Sequence, residues 1–201
     1  DEHCWEPYGS AMQCNLRASV NSNGEITSWS HETFSDTFLT RPVVGKEPGS
    51  RLLSTHYMKQ SKPWPVTPPM LTVHGGIHRN IEPIYNFPSS RLVKHRVYDL
   101  PLRTSALRAL GAFGNIFAIE SMMDELAEAL KLDPFHFRLK HLNDEQGIQT
   151  LIRLQELVDK DRVNFPQEAG LGISFARYKN SAGYCSLAVL LRVNDDAEVE
   201  L

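Results

Sequence analysis

The sequence predicts an α+β fold, with strands first, a cluster of about three helices next and strands again at the end. Three observations predict it. Apolar and polar residues alternate with a period of two over residues 12–20 and again over 184–193. Between them, apolar side chains recur at three- and four-residue steps from Ile116 to Leu130. Asp133 and Asp144 stand where helix N-caps are expected.

The elements follow in order. Met12, Cys14, Leu16, Ala18 and Val20 are apolar, and Gln13, Asn15, Arg17 and Ser19 between them are polar, which gives a strand with one buried face. Asn21-Ser22-Asn23-Gly24 supplies a turn, because Asn and Gly tolerate positive φ. Glu25 to Phe34 returns with Ile26 and Trp29, so the region 12–41 reads as a β-hairpin. Region 42–90 holds eight of the twelve prolines. Proline removes backbone donors, so this stretch reads as a loop-rich excursion with a short helix around Arg51–Lys59. Trp64, Ile77, Ile84, Tyr85 and Phe87 anchor it.

Region 91–160 opens with a strand over residues 91–100, followed by a loop from Pro101 to Asn115 and then the helices. Ile116, Ile119, Met123, Leu126 and Leu130 form one stripe, with Ser121, Asp124, Glu125 and Glu128 on the other side. Asp133-Pro134 starts a second helix, with Asp as cap and Pro in the first turn. Asp144 caps a third, with Ile148, Leu151, Ile152 and Val158 apolar. Region 171–201 begins a new β region, in which Cys185, Leu187, Val189, Leu191 and Val193 form one side of a strand.

Bulk properties exclude some classes. The 201 residues are 41% hydrophobic and 22% charged, with net charge −3. No basic face invites nucleic acid. No apolar run approaches the ~20 residues that span a bilayer. No charged-then-apolar leader is visible. Cys4, Cys14 and Cys185 make no disulfide framework and read as reduced, two of them core-facing. The chain opens at Asp1 and stops within a predicted strand, which reads as a piece of a longer protein. Such a piece is expected to self-associate, or to be partly disordered over residues 42–88.

Among candidate chemical features, Leu107-Arg108-Ala109-Leu110-Gly111-Ala112-Phe113-Gly114-Asn115 leads. Glycines ahead of a helix let backbone N–H groups approach an anion, and Arg108 adds a planar donor fork. On local sequence alone, a tight loop with a solvated arginine is the favoured reading. His74 and His78 flank two glycines and lack a third ligand of suitable spacing, which argues against a structural zinc site. Glu120 and Asp124, one helical turn apart, read as exposed acids near a helix start. Arg138, Lys140 and His141 read as cations suited to a helix end. The polar run Arg177–Gly183 is either a cavity lining or a strand entry loop.

The stretch Leu102–Asp144 resembles the large subunits of the molybdenum hydroxylases, the xanthine dehydrogenase/aldehyde oxidase family. Arg108, Ala118-Ile119-Glu120-Ser121, Asp124-Glu125-Leu126-Ala127 and Asp133-Pro134 through Phe137-Arg138-Leu139 to Leu142 fall in that family's pattern with its gaps intact. Trp5-Glu6-Pro7-Tyr8-Gly9, Gly76–Asn80 with Pro83-Ile84-Tyr85, and Gly172–Asn180 are similar to the branch containing isoquinoline 1-oxidoreductase and nicotinate dehydrogenase. The resemblance covers nearly the whole chain, although the family's large subunit is several times longer.

The resemblance implies part of a molybdopterin-binding domain. The parent activity it implies is oxidative hydroxylation of N-heteroaromatics or aldehydes with water as the oxygen source. The cofactor carries the chemistry and the protein positions it. It implies molybdopterin, in its cytosine dinucleotide form with molybdenum, and none bound to the isolated piece. Leu107, Arg108 and Gly111 are the implied cofactor-binding residues, and Leu110 the implied substrate-facing one. Leucine there removes ring stacking and argues against a purine. The family's Gly-Gly-x-Phe-Gly segment, its glutamine-bearing loops and its C-terminal glutamate have no match, so the isolated chain is expected to be inactive. Implied partners are the rest of the large subunit, a 2Fe-2S small subunit and, as a further candidate, a cytochrome, in bacterial cytoplasm or periplasm. Two rival readings remain: a non-catalytic interaction domain of the same ancestry, docking through its Pro-rich region, and a small anion-binding domain using Arg108 and the helix start.

Overall fold

Alternation along residues 12–35 builds a hairpin of β1 (Met12–Val20) and β2 (Ile26–Ser35). The computed structural model describes residues 8–38, 53–60, 70–98, 100, 104, 106–166 and 168–201. In β1, every second residue from Met12 is half-buried and those between are exposed. Asn21 makes the turn: its Oδ1 accepts the N–H groups of Asn23 and Glu25, both at 3.0 Å. Gly24 takes φ +71°, a region that costs glycine nothing. A third strand, β3 (Ser90–Arg96), completes a sheet of order β1-β2-β3.

Three helices follow: α1 (Ala112–Ala129), α2 (Pro134–Lys140) and α3 (Glu145–Asp161). Both expected caps are present. An Asp133 carboxylate oxygen accepts His136 N–H at 2.9 Å, and Asp144 Oδ1 accepts Gly147 N–H at 2.8 Å. Each satisfies a donor that a helix start leaves orphaned. The last section is a second sheet of order β4-β5-β6, with β4 (Gly170–Arg177), β5 (Tyr184–Val193) and β6 (Val199–Glu200). Strands before, helices between and strands after make the α+β class. The loop-rich excursion is described only over 53–60 and from 70 onward, with short 3-10 turns at Leu53–Tyr57 and Gly76–His78. The rest of it, together with Cys4 and Trp5-Glu6-Pro7, lies outside the described residues.

The chain clusters into two compact units. The first comprises residues 1–17, 30–82 and 91–115. Its interior is polar: Ser10, His31, Thr33, Ser35, Asn80, Thr104 and Asn115 are buried beside Phe38, Ile77, Ile81 and Ala112. The second comprises residues 18–29, 83–90 and 116–201. Its interior is apolar, built from Trp29, Tyr85, Ile119, Met123, Phe135, Phe137, Leu151 and Phe175. Trp29 stacks on Phe87 with ring centroids 4.9 Å apart.

Two expectations need correction in the second unit. Glu120 is not on an exposed face. It is 5% exposed, and its carboxylate accepts from Tyr85 Oη at 2.8 Å, Arg138 Nε at 2.9 Å and Phe175 N–H at 2.8 Å. Arg138 is fully buried rather than solvated at a helix end, and its Nη1 also meets Asp124 at 2.7 Å. Burial raises the Glu120 pKa, opposed by Arg138 and by the Tyr85 and Phe175 donors. Burial works against the Arg138 charge too, but Glu120, followed by Tyr85 and Asp124, more than reverses it, so Arg138 stays a cation.

The packing of α3 decides which side of β5 is covered. Ile173 and Phe175 of β4 are buried, and their cross-strand partners Ala188 and Ser186 share that side. Ser186 Oγ donates to Thr150 O on α3, so this is the helix-covered side. The more apolar series lies on the other side. Leu187 is 54% exposed and Val193 58%, and Cys185 is exposed. Opposite them β4 contributes Gly170 and Gly172, around whose Cβ positions there is open space.

Candidate functional site: the Leu107–Asn115 loop

The loop is built from tight turns that run into α1. Leu110 N–H donates to Leu107 O at 3.1 Å, Ala112 N–H to Ala109 O at 3.1 Å and Phe113 N–H to Leu110 O at 3.3 Å. Ala109 and Leu110 both have positive φ, +75° and +52°. Neither is glycine, so each costs on the order of 1 kcal/mol or more. Consecutive left-handed residues persist only where their surroundings fix them.

Two residues do the fixing. Gly111 donates its N–H to Gly76 O at 3.2 Å. A Cβ at Gly111 would lie 2.3 Å from Ile77 O and 2.5 Å from Gly76 O, both rigid backbone atoms, so only glycine fits. Asn115 spends its whole amide: Nδ2 donates to Ile77 O and Arg79 O, each at 2.9 Å, and Oδ1 accepts Thr33 Oγ1 at 2.6 Å. Thr33 Oγ1 also contacts His31 Nε2 at 3.1 Å. His31 is fully buried, and burial lowers its pKa to about 4, so it is neutral near pH 7. The turn Gly76–Asn80 thus serves as the platform on which the loop sits.

What the platform presents is chemically mixed. Arg108 is exposed and makes no hydrogen bond or ion pair among the described residues. Leu107 is 42% exposed and Phe113 79%, while Leu110 is half-buried and Gly111 buried. The four residues singled out from the sequence therefore share one short loop, with an unengaged guanidinium between apolar side chains. Such a surface suits a flat, polar-edged group bearing anionic oxygens. The sequence reading missed Asn115, His31 and Thr33. One signal was available: Asn115 lies four residues before Ile119 on the buried stripe of α1, where an unpartnered amide would be costly.

The sequence model of the Molybdopterin cofactor-binding domain matches residues 65–142, which include the loop and its platform. A nicotinate dehydrogenase subunit of Pseudomonas putida is 30% identical over 188 residues, covering 90% of this chain. The chain belongs to the molybdenum hydroxylase family. The beta subunit of isoquinoline 1-oxidoreductase of Brevundimonas diminuta is 33% identical over 99 residues, covering 42% of the chain. The chain spans only 14% and 13% of the lengths of these two relatives. Among solved structures, quinoline 2-oxidoreductase from Pseudomonas putida 86 superposes with TM-score 0.56 at 15% identity, over 83% of this chain and 21% of its own. The aldehyde oxidoreductase of Desulfovibrio gigas gives TM-score 0.52 at 19% identity, over 83% and 18%. At such identities these two speak for the fold alone. As a molybdenum hydroxylase sequence the chain carries a molybdopterin cofactor-binding domain, and its relatives are oxidoreductase subunits. No described helix is long and apolar enough to cross a membrane.

Proposed function

We propose that this chain supplies one wall of the cofactor and substrate cavity in the large subunit of a molybdenum hydroxylase. Leu107 and Arg108 face the molybdopterin, in its cytosine dinucleotide form, Leu110 faces the substrate, and Gly111, expected to face the cofactor, instead seats the loop on its platform. One observation carries the reading: Arg108 stands exposed and, among the described residues, unengaged, on a loop whose two left-handed residues are fixed by Gly111 and Asn115. A guanidinium held without a protein partner is ready for an external anion, and a rigid loop spares the ordering cost of binding. The residues present fit the group, since the loop offers a planar donor fork with apolar side chains beside it.

When bound, the molybdenum cofactor supplies the oxidation, and water supplies the oxygen placed on an N-heteroaromatic or aldehyde carbon. This chain orients. Arg108 holds anionic oxygens, Gly111 permits close approach of backbone, and Leu110 packs against the substrate ring without stacking. The remaining large subunit and a 2Fe-2S small subunit complete the enzyme, and the isolated chain is inactive. The test is Arg108→Ala in the complete large subunit, expressed with its small subunit. Molybdenum and pterin content should fall roughly tenfold or more, the loss of one charge-assisted contact. Full cofactor content and unchanged turnover would remove Arg108 from the site.

A further inference from the structure

Away from the loop, the first unit holds a partly enclosed cavity of about 140 Å³. Met70, Ile77 and Tyr98 give it apolar walls, and Lys94 and Arg96 reach into it from β3. Lys94 and Arg96 stand two residues apart on one strand, so they share a face. Lys94 spends one N–H on Met70 O at 2.7 Å and another on His78 Nδ1 at 3.0 Å. Both acceptors are neutral, because burial lowers the His78 pKa. Among the described residues no carboxylate pairs with Lys94, and its ammonium has a third N–H to give. Arg96 differs: its Nε lies 3.1 Å from Asp36 Oδ1, which offsets its charge. The groups lining or bridging to the cavity therefore sum to about one positive charge, held on Lys94. Burial already weakens that charge, lowering the Lys94 pKa.

We propose that this cavity binds a small monocarboxylate on a single ring or short apolar chain, with Lys94 receiving the carboxylate. Size selects the body of the ligand. A cavity of roughly 150 Å³ accommodates one benzene ring. Charge selects the head. One cation in an apolar pocket favours a singly charged group, whereas a phosphate dianion would bring charge that nothing there balances. Binding completes the Lys94 hydrogen bonds and covers Met70 and Tyr98. Gly76 and Ile77 line the cavity and also carry the carbonyls against which Gly111 packs. A ligand here thus rests on the same platform as the loop. The inference does not depend on the cofactor reading, since binding is measured without cofactor.

The experiment is a titration of the chain with benzoate, followed by amide nitrogen–proton spectra and calorimetry, beside benzamide, acetate and inorganic phosphate. Benzoate should saturate with Kd near ~1 mM and shift the amides of Gly76, Ile77 and Lys94. Benzamide, the same ring without charge, and acetate, the same charge without the ring, should each bind at least about tenfold more weakly. Lys94→Met should weaken benzoate about tenfold or more, and Lys94→Arg should keep most of the affinity. Any one of four results overturns the proposal: no saturation by ~20 mM benzoate, benzamide equal to benzoate, phosphate equal to benzoate, or a folded Lys94→Met that binds as wild type. Should Lys94→Met fail to fold, the benzoate–benzamide comparison on the wild-type chain decides alone.

Discussion

Arg108 and Arg138 lie thirty residues apart in sequence, and the chain uses them in opposite ways. Arg138, in the second unit, is fully buried and makes five hydrogen bonds, to Glu120, Asp124 and three backbone carbonyls. Arg108, in the first unit, is exposed and makes no hydrogen bond or ion pair among the described residues. The interiors around them differ in the same sense. The second unit is held by apolar burial, with one ionic network set into it. The first is held by directional bonds among Ser, Thr, His and Asn side chains. Apolar burial gives stability without fixing angles, and hydrogen bonds fix angles at little net gain. The contrast teaches where to look for function: the arginine that the fold consumes is structural, and the one it leaves free is available.

The comparison breaks most sharply at Arg138. Arg138→Met should cost ~3–5 kcal/mol in denaturant unfolding, because it strands Glu120 as a buried anion. Adding Glu120→Gln to it should recover a good part of that loss. A double variant no more stable than Arg138→Met alone would mean the pair is not coupled.

The next effect in size is pH. Folding holds His31 at about 4, below the ~6.5 of an exposed histidine. The unfolded chain therefore binds the extra proton more readily. His31 contributes stability that is present in full above pH ~6.5 and lost as pH falls toward 4, roughly 3 kcal/mol in all. His31→Gln should flatten that fall. Glu120 works the other way: its raised pKa contributes stability at low pH that is lost as pH rises through its folded value. Unfolding midpoints measured between pH 7 and pH 4 check both signs.

Gly111→Ala comes third. Its Cβ would meet two carbonyl groups that cannot swing aside, so a loss of about 1–3 kcal/mol is expected, with shifted amide signals at Gly76 and Ile77. Arg108→Ala sits at the bottom of the scale and sharpens the contrast from the other end. Unfolding stability should change by less than ~0.5 kcal/mol. A larger loss would show that Arg108 is engaged in the fold.

Much of the architecture was legible because its signals are local. Alternation set the β1 face, Asn21 and Gly24 set the turn, and Asp133 and Asp144 marked two helix starts. The burial of Glu120 was not legible, because an acid one turn from Asp124 has the spacing of a solvated pair. Its partners, Tyr85, Arg138 and Phe175, come from distant positions in sequence. The outward side of β5 was hidden for a related reason. Alternation tells which residues share a face, but only the packing of α3 tells which face is covered. The loop was found through family resemblance rather than local chemistry, which favoured a solvated arginine. Its supports, Asn115 with Thr33 and His31, become visible only when three separate segments meet.

One feature of the hydrogen bonding reaches into spectroscopy. His78 accepts Lys94 on Nδ1, and an ammonium has no lone pair to offer, so its own proton sits on Nε2 facing Thr72 O at 2.8 Å, with the Gly75 N–H, shared with Thr72 O, 3.3 Å from the same nitrogen. His141 accepts Ile26 N–H on Nε2 at 3.0 Å, so its proton sits on Nδ1 facing Phe137 O at 2.8 Å. The chain thus carries two neutral imidazoles whose shortest contacts favour opposite tautomers, one in each compact unit. Ring-nitrogen chemical shifts distinguish the two forms. A single sample with labelled histidine would therefore report, from two resolved signals, which unit loosens first on heating or acidification.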